Sequence, residues 1–140
     1  MKRFALLFAL FLVSTIFTAC SRLLQVTLFN NTGEEIGVRA ELEKDTIAPN
    51  RFAHFKYPGK GANRVFRLSS KACEFLYEFP SEIPDYKIEM KFERGIQVQV
   101  EKDFSINLLP ADYAGDQPAP VTIFLQQEGF PLHPVSRRCR

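Results

Sequence analysis

The chain has 140 residues, is 46% apolar with 14 Phe and no Trp, and carries 18 Lys and Arg against 16 Asp and Glu. That is the length of one ordinary domain, able to bury about two-thirds of the surface its unfolded chain exposes. Lys2 and Arg3 stand before an apolar run that holds no acid, so the rest balances at 16 of each sign, which excludes the broad basic footprint of a nucleic-acid binder.

Lys2 and Arg3 precede ten unbroken apolar residues, Phe4 to Val13, which Ser14, Thr15 and Thr18 then dilute. A membrane-spanning helix needs about 20 apolar residues. This stretch is shorter and has the tripartite layout of a cleaved export signal. Its end, Phe17-Thr18-Ala19-Cys20, resembles the lipobox of bacterial lipoproteins, with small residues ahead of a Cys and Phe17 standing where Leu is usual. The resemblance covers the first twenty residues. It implies removal of residues 1–19, a diacylglyceryl thioether on Cys20, and a lipid-anchored domain over residues 20–140. Ser21 after the Cys resembles the pattern of lipoproteins sent to the outer membrane, facing the periplasm. Cleavage by ordinary signal peptidase and retention as an uncleaved anchor are the two competing readings.

Beyond Ser21, period-two alternation dominates, with turn residues at short intervals. Leu24, Val26 and Leu28 alternate with Gln25 and Thr27 up to the turn Asn30-Asn31-Thr32-Gly33, and Ile36, Val38, Ala40 and Leu42 follow. This pair is expected to form an antiparallel hairpin. Further strands are expected over Arg51 to Tyr57, Val65 to Leu68, Cys73 to Phe79, Tyr86 to Phe92, Ile96 to Val100, Phe104 to Leu108 and Val121 to Leu125. Pro80 and Pro84, and then Pro110 to Pro120, mark loops. No stretch carries a helical stripe. The expected fold is all-β: one antiparallel β-sandwich, immunoglobulin-like or similar, of about seven to nine strands. Arg137, Arg138 and Arg140 crowd the last residues and read as a solvated basic tail, with contact to anionic lipid as the alternative.

Export implies an oxidising compartment, where disulfides persist. With Cys20 lipidated, Cys73 and Cys139 form one even pair, expected to be bonded rather than left as two free thiols. The only histidines are His54 and His133, far apart in sequence and each without a nucleophile motif, so no catalytic residue and no metal ligand set is assigned. No cofactor is expected either. The glycosylation pattern at Asn30-Asn31-Thr32 is discounted for a bacterial chain. A recognition surface around the Pro58 to Arg64 turn is one reading, with Phe55, Tyr57, Lys60 and Arg64 as its candidate residues. The preferred reading is a hairpin whose aromatics face the core.

The expectation is therefore a lipid-anchored, non-catalytic interaction or accessory module of an envelope or secretion assembly. Its partners would be the membrane, through the lipid, and an envelope protein; no nucleic acid is expected. The alternative is a periplasmic β-domain that binds a small ligand or a metal.

Overall fold

The computed structural model describes residues 23–41, 43–58, 64–80, 94–110, 113, 118–119 and 124–140. The expected signal segment, Cys20 and the expected strand Tyr86 to Phe92 lie outside the described residues, as do Lys60 and most of the expected loop Pro110 to Pro120 and strand Val121 to Leu125. Nine strands are described: β1 (Leu23–Asn30), β2 (Ile36–Arg39), β3 (Lys44–Ile47), β4 (Phe52–Pro58), β5 (Val65–Ser69), β6 (Cys73–Glu78), β7 (Arg94–Val100), β8 (Ile106–Leu109) and β9 (Ser136–Cys139). They form two sheets, ordered β4-β1-β7-β8 and β3-β2-β5-β6-β9. The all-β sandwich expected from the alternation is the fold observed.

Its core is the sum of the inward faces. Val26 and Leu28 of β1, Ala53 and Phe55 of β4, and Ile96 and Val98 of β7 meet Val38, Phe66, Leu68, Phe75 and Tyr77 of the opposite sheet. Phe66 is the aromatic centre, with ring centroids 5.1 Å from Tyr77, 4.7 Å from Phe79 and 6.0 Å from Phe55. Offset contacts in this range add to the apolar burial that dominates folding.

The expected β1–β2 hairpin is not formed. β1 is an inner strand, antiparallel to β4 and parallel to β7, while β2 pairs with β3 and β5 in the other sheet. Alternation specifies which face of a strand is buried, not which strand lies beside it. Asn30 makes the difference. Fully buried, it donates its amide to the carbonyls of Glu34 (2.7 Å) and Ile47 (2.8 Å) and accepts from the Thr32 N–H (3.0 Å) and hydroxyl (2.7 Å). These bonds turn the segment into a corner that lifts the chain from one sheet to the other, helped by Gly33 at φ +87°. The same burial leaves Asn30 inaccessible to modification. The parallel β1–β7 pair also departs from an all-antiparallel reading, and the long connection it requires includes β2, β3, β5 and β6 of the other sheet as well as β4 of its own.

Two short strands carry little apolar patterning. β3 reads KDTI, with three exposed positions, and β9 reads SRRC, exposed throughout. The basic tail is thus a strand, held by the ladder to β6 and by the Cys73–Cys139 disulfide. Without an apolar face, neither shows period-two alternation.

The β7–β8 connection ties the sheets together. Phe104 N–H donates to Glu101 O (2.9 Å) and Glu101 N–H to Ser105 O (2.9 Å), a turn followed by one residue in the left-handed region. Glycine usually occupies that position, yet here it is Phe104, at φ 64°. Its ring stacks on Phe75 of the facing sheet at 4.0 Å, and its carbonyl accepts the Tyr77 hydroxyl at 2.7 Å. The stacking and the hydrogen bond offset a backbone cost of about 1 kcal/mol or more. Burial pushes the Tyr77 phenol well above its ordinary range, and the Asp103 carboxylate adds to the shift. Asp103 moves the other way, because the hydroxyl and the N–H of Ser105 both donate to it.

The sign of the tyrosine shift gives a measurable slope. An unfolded phenol ionises near about pH 10, whereas folded Tyr77 keeps its proton beyond that. Its contribution is therefore present below about pH 10 and falls as pH rises further. Urea unfolding at two pH values either side of that point should show a steeper loss for the native protein than for Tyr77→Phe. Equal losses would mean that the phenol is not protected.

Candidate interaction surface

β1 orients the molecule. Leu23 pairs with Pro58 and Leu24 with Arg94, so the start of β1, the end of β4 and the start of β7 share one pole. Arg64 leads into β5 at this pole, where its carbonyl accepts the Phe79 N–H at 2.9 Å. The opposite pole, roughly 25 Å away along the eight residues of β1 at about 3.3 Å each, carries the Asn30 corner, the Glu101–Ser105 turn, the disulfide and Arg140. The basic cluster and the end of β4 at Pro58 therefore lie at opposite poles.

Of the candidate residues around that turn, Phe55 and Arg64 have described side chains. Phe55 is 3% exposed and belongs to the core. Tyr57 pairs through its backbone with Leu24, and its side chain, like Lys60, lies outside the described residues. Arg64 is half-buried. Cys73 and Cys139 are brought together as the disulfide (S–S 2.04 Å), directly opposite one another on β6 and β9.

His54 lies on the outer face of β4, opposite Thr27 of β1, whose hydroxyl sits 2.9 Å from His54 Nδ1. The register creates this hydroxyl–imidazole pair, which sequence spacing does not reveal. Beside it stands the edge of the Phe52 ring, at 5.3 Å and half-exposed. A third group orienting the imidazole is not seen among the described residues. Nor, among those residues, do three or more His, Cys, Asp or Glu side chains gather where they could hold a metal.

The outer face of the β4-β1-β7-β8 sheet is partly covered by the chain itself. Gln99 is fully buried, and its amide both donates to Ala119 O (3.0 Å) and accepts from Ala119 N (2.8 Å). Gln126 does the same to Leu108, at 3.1 Å and 2.8 Å. In each case a primary amide takes the part of a neighbouring strand's peptide group.

The outer face of the other sheet carries a row of cations. Lys44, Arg39 and Arg67 stand directly opposite one another on β3, β2 and β5. Adjacent strands lie only about 4.8 Å apart, and like charges so placed repel. Arg67 finds Glu74 at 2.9 Å. Arg138 of β9, opposite Glu74 on its other side, therefore competes for a carboxylate already engaged.

No family model, curated protein or solved structure matches the chain. The described surface offers sheet faces, a cationic row and strand edges, which are the means of recognition by contact.

Proposed function

We propose that the protein is a lipid-anchored envelope module that acts by contact with another envelope protein. The observation that carries this reading is the Thr18-Ala19-Cys20 ending of an apolar export segment, set three residues ahead of β1. Three residues reach at most about 10 Å, so a diacylated Cys20 would hold the Leu23 pole of the sandwich close to the bilayer. The disulfide supports an oxidising compartment and is consistent with export.

Two acyl chains on one residue meet the two-signal requirement for stable anchoring, since each buried CH₂ contributes roughly 0.8 kcal/mol. The opposite pole would then stand roughly 25 Å further out. That exceeds the Debye length of about 8 Å at physiological salt, so the bilayer that anchors the protein would not attract the arginines of β9. They are available to something else.

Growth with a clickable fatty acid tests the anchor. The native chain is expected to take up label and to sediment with membranes, and Cys20→Ala to do neither. Label retained by Cys20→Ala would overturn the assignment.

A further inference from the structure

We infer that the outer edge of β9 is a docking edge for an extended, acidic segment of a partner protein, which adds to the sheet as a further strand. This rests on the contact reading above and gives it a site and a partner chemistry.

Arg140 N–H donates to Ala72 O at 3.0 Å. Antiparallel pairing alternates bonded and non-bonded pairs, so Ser136, Arg138 and Arg140 turn toward β6, while Arg137 and Cys139 turn their N–H and C=O groups away from it. Among the described residues these four groups have no partner. The chain's own groups engage the β8 edge fully and bond at least one outward N–H on each of β3 and β4. At β8, Leu132 exchanges both backbone bonds with Ile106, and Gln126 exchanges both with Leu108. At β4, Glu43 accepts the Lys56 N–H at 3.0 Å, and at β3, Asp45 accepts the Thr46 N–H at 2.7 Å.

An open edge invites pairing, and proteins ordinarily cover, shorten or charge it. β9 is charged, with one sign only. It is also held in place by the disulfide, so the ordering cost of adding a strand falls mainly on the partner. Arg137 extends on the inner side, its guanidinium 5.4 Å from the Phe75 ring centroid and bonded to Cys139 Sγ at 3.1 Å. Arg138 lies on the outer side, opposite Glu74, whose carboxylate Arg67 already engages. An incoming strand thus meets a cation on each of its faces. It needs acidic residues at successive positions, with its main chain supplying hydrogen bonds in the manner of β-augmentation.

Charge also decides against the simplest alternative occupant. A second copy pairing through β9 would bring arginine against arginine across the new ladder, which is repulsive.

The test uses the full chain in detergent micelles and a blocked peptide about ten residues long, rich in glutamate with threonine and valine; a lysine-for-glutamate version is the control. The glutamate peptide is expected to slow amide exchange at Arg137 and Cys139, to bind more weakly as salt rises, and to be preferred at least about tenfold over the lysine peptide. Arg137→Pro removes an outward N–H that the β6 ladder does not use, a position where proline is tolerated. It is expected to weaken binding about tenfold more than Arg137→Ala, which keeps that N–H. The double variant Arg138→Ala, Arg140→Ala provides a second comparison with an unaltered inward ladder, and it is expected to lose most of the salt dependence. Equal binding of the two peptides, protection at Phe52 and His54 in place of β9, self-association through β9, or full affinity in Arg137→Pro would each overturn the proposal. These readouts do not depend on acylation, so a negative fatty-acid experiment and a negative peptide experiment refute different statements.

Discussion

Replacing Cys73 and Cys139 together by serine is expected to lower the unfolding free energy by about 4 kcal/mol. The disulfide closes a loop of sequence separation 66, and the chain-entropy relation assigns about that much to a loop of this length. Total stabilities of single domains are about 5–15 kcal/mol, so the loss is severe, equivalent to roughly 15 °C in melting temperature. The effect should also be local. β9 is exposed at every position and has only its ladder to hold it once the bond is gone, so amide protection at Arg138 and Arg140 should fall before that of β5 and β6. Urea unfolding combined with amide exchange measures both. A change below about 1 kcal/mol, with β9 still protected, would show that the ladder suffices. Loss of acidic-peptide binding in the same variant would connect the bond to the docking edge.

Phe66→Ala is expected to cost about 3–5 kcal/mol, the usual range for truncating a buried phenylalanine. Phe66 is 1% exposed and lies between Tyr77, Phe79 and Phe55, so its removal leaves a cavity between the sheets that neighbouring strands can fill only by shifting. Phe66→Leu separates the contributions. It keeps most of the apolar volume and loses the ring contacts, so it should cost clearly less than the alanine change, with the stacking part about 0.5–1.5 kcal/mol per ring pair. Calorimetry on the three proteins provides the comparison. An alanine variant within about 1 kcal/mol of the native protein would contradict the central position given to this ring. Neither change touches the outward groups of β9, so a Phe66→Leu protein that stays folded should still bind the acidic peptide.

Several features were legible from residue order alone. Alternation in Leu24–Leu28, Val65–Leu68, Cys73–Phe79 and Ile96–Val100 marked strands because a half-buried strand must present one apolar face. Short spacings between them argued for an all-β sandwich, and the even pair Cys73 and Cys139 argued for a bond. Residue order is silent where the deciding interaction is between segments distant in sequence. β1 and β2 parted company because the buried amide of Asn30 bonds to Ile47, and no local pattern encodes that. β3 and β9 were missed because edge strands without an apolar face are held by ladder bonds that any sequence can make.

The candidate surface divides in the same way. Residue order alone specifies the apolar amino-terminal run that ends at Cys20, the near-balance of charge, the buried faces of most strands and the cysteine pair. All of these follow from residue type and local spacing. Folding adds that Phe55 serves the core and that Thr27 meets His54. It also put Lys44, Arg39 and Arg67 in one row and made the basic end a disulfide-held edge roughly 25 Å from the start of β1. These depend on register and sheet order. Both are set by the cooperative burial of whole faces, and a one-residue slip would exchange every inward side chain for an outward one.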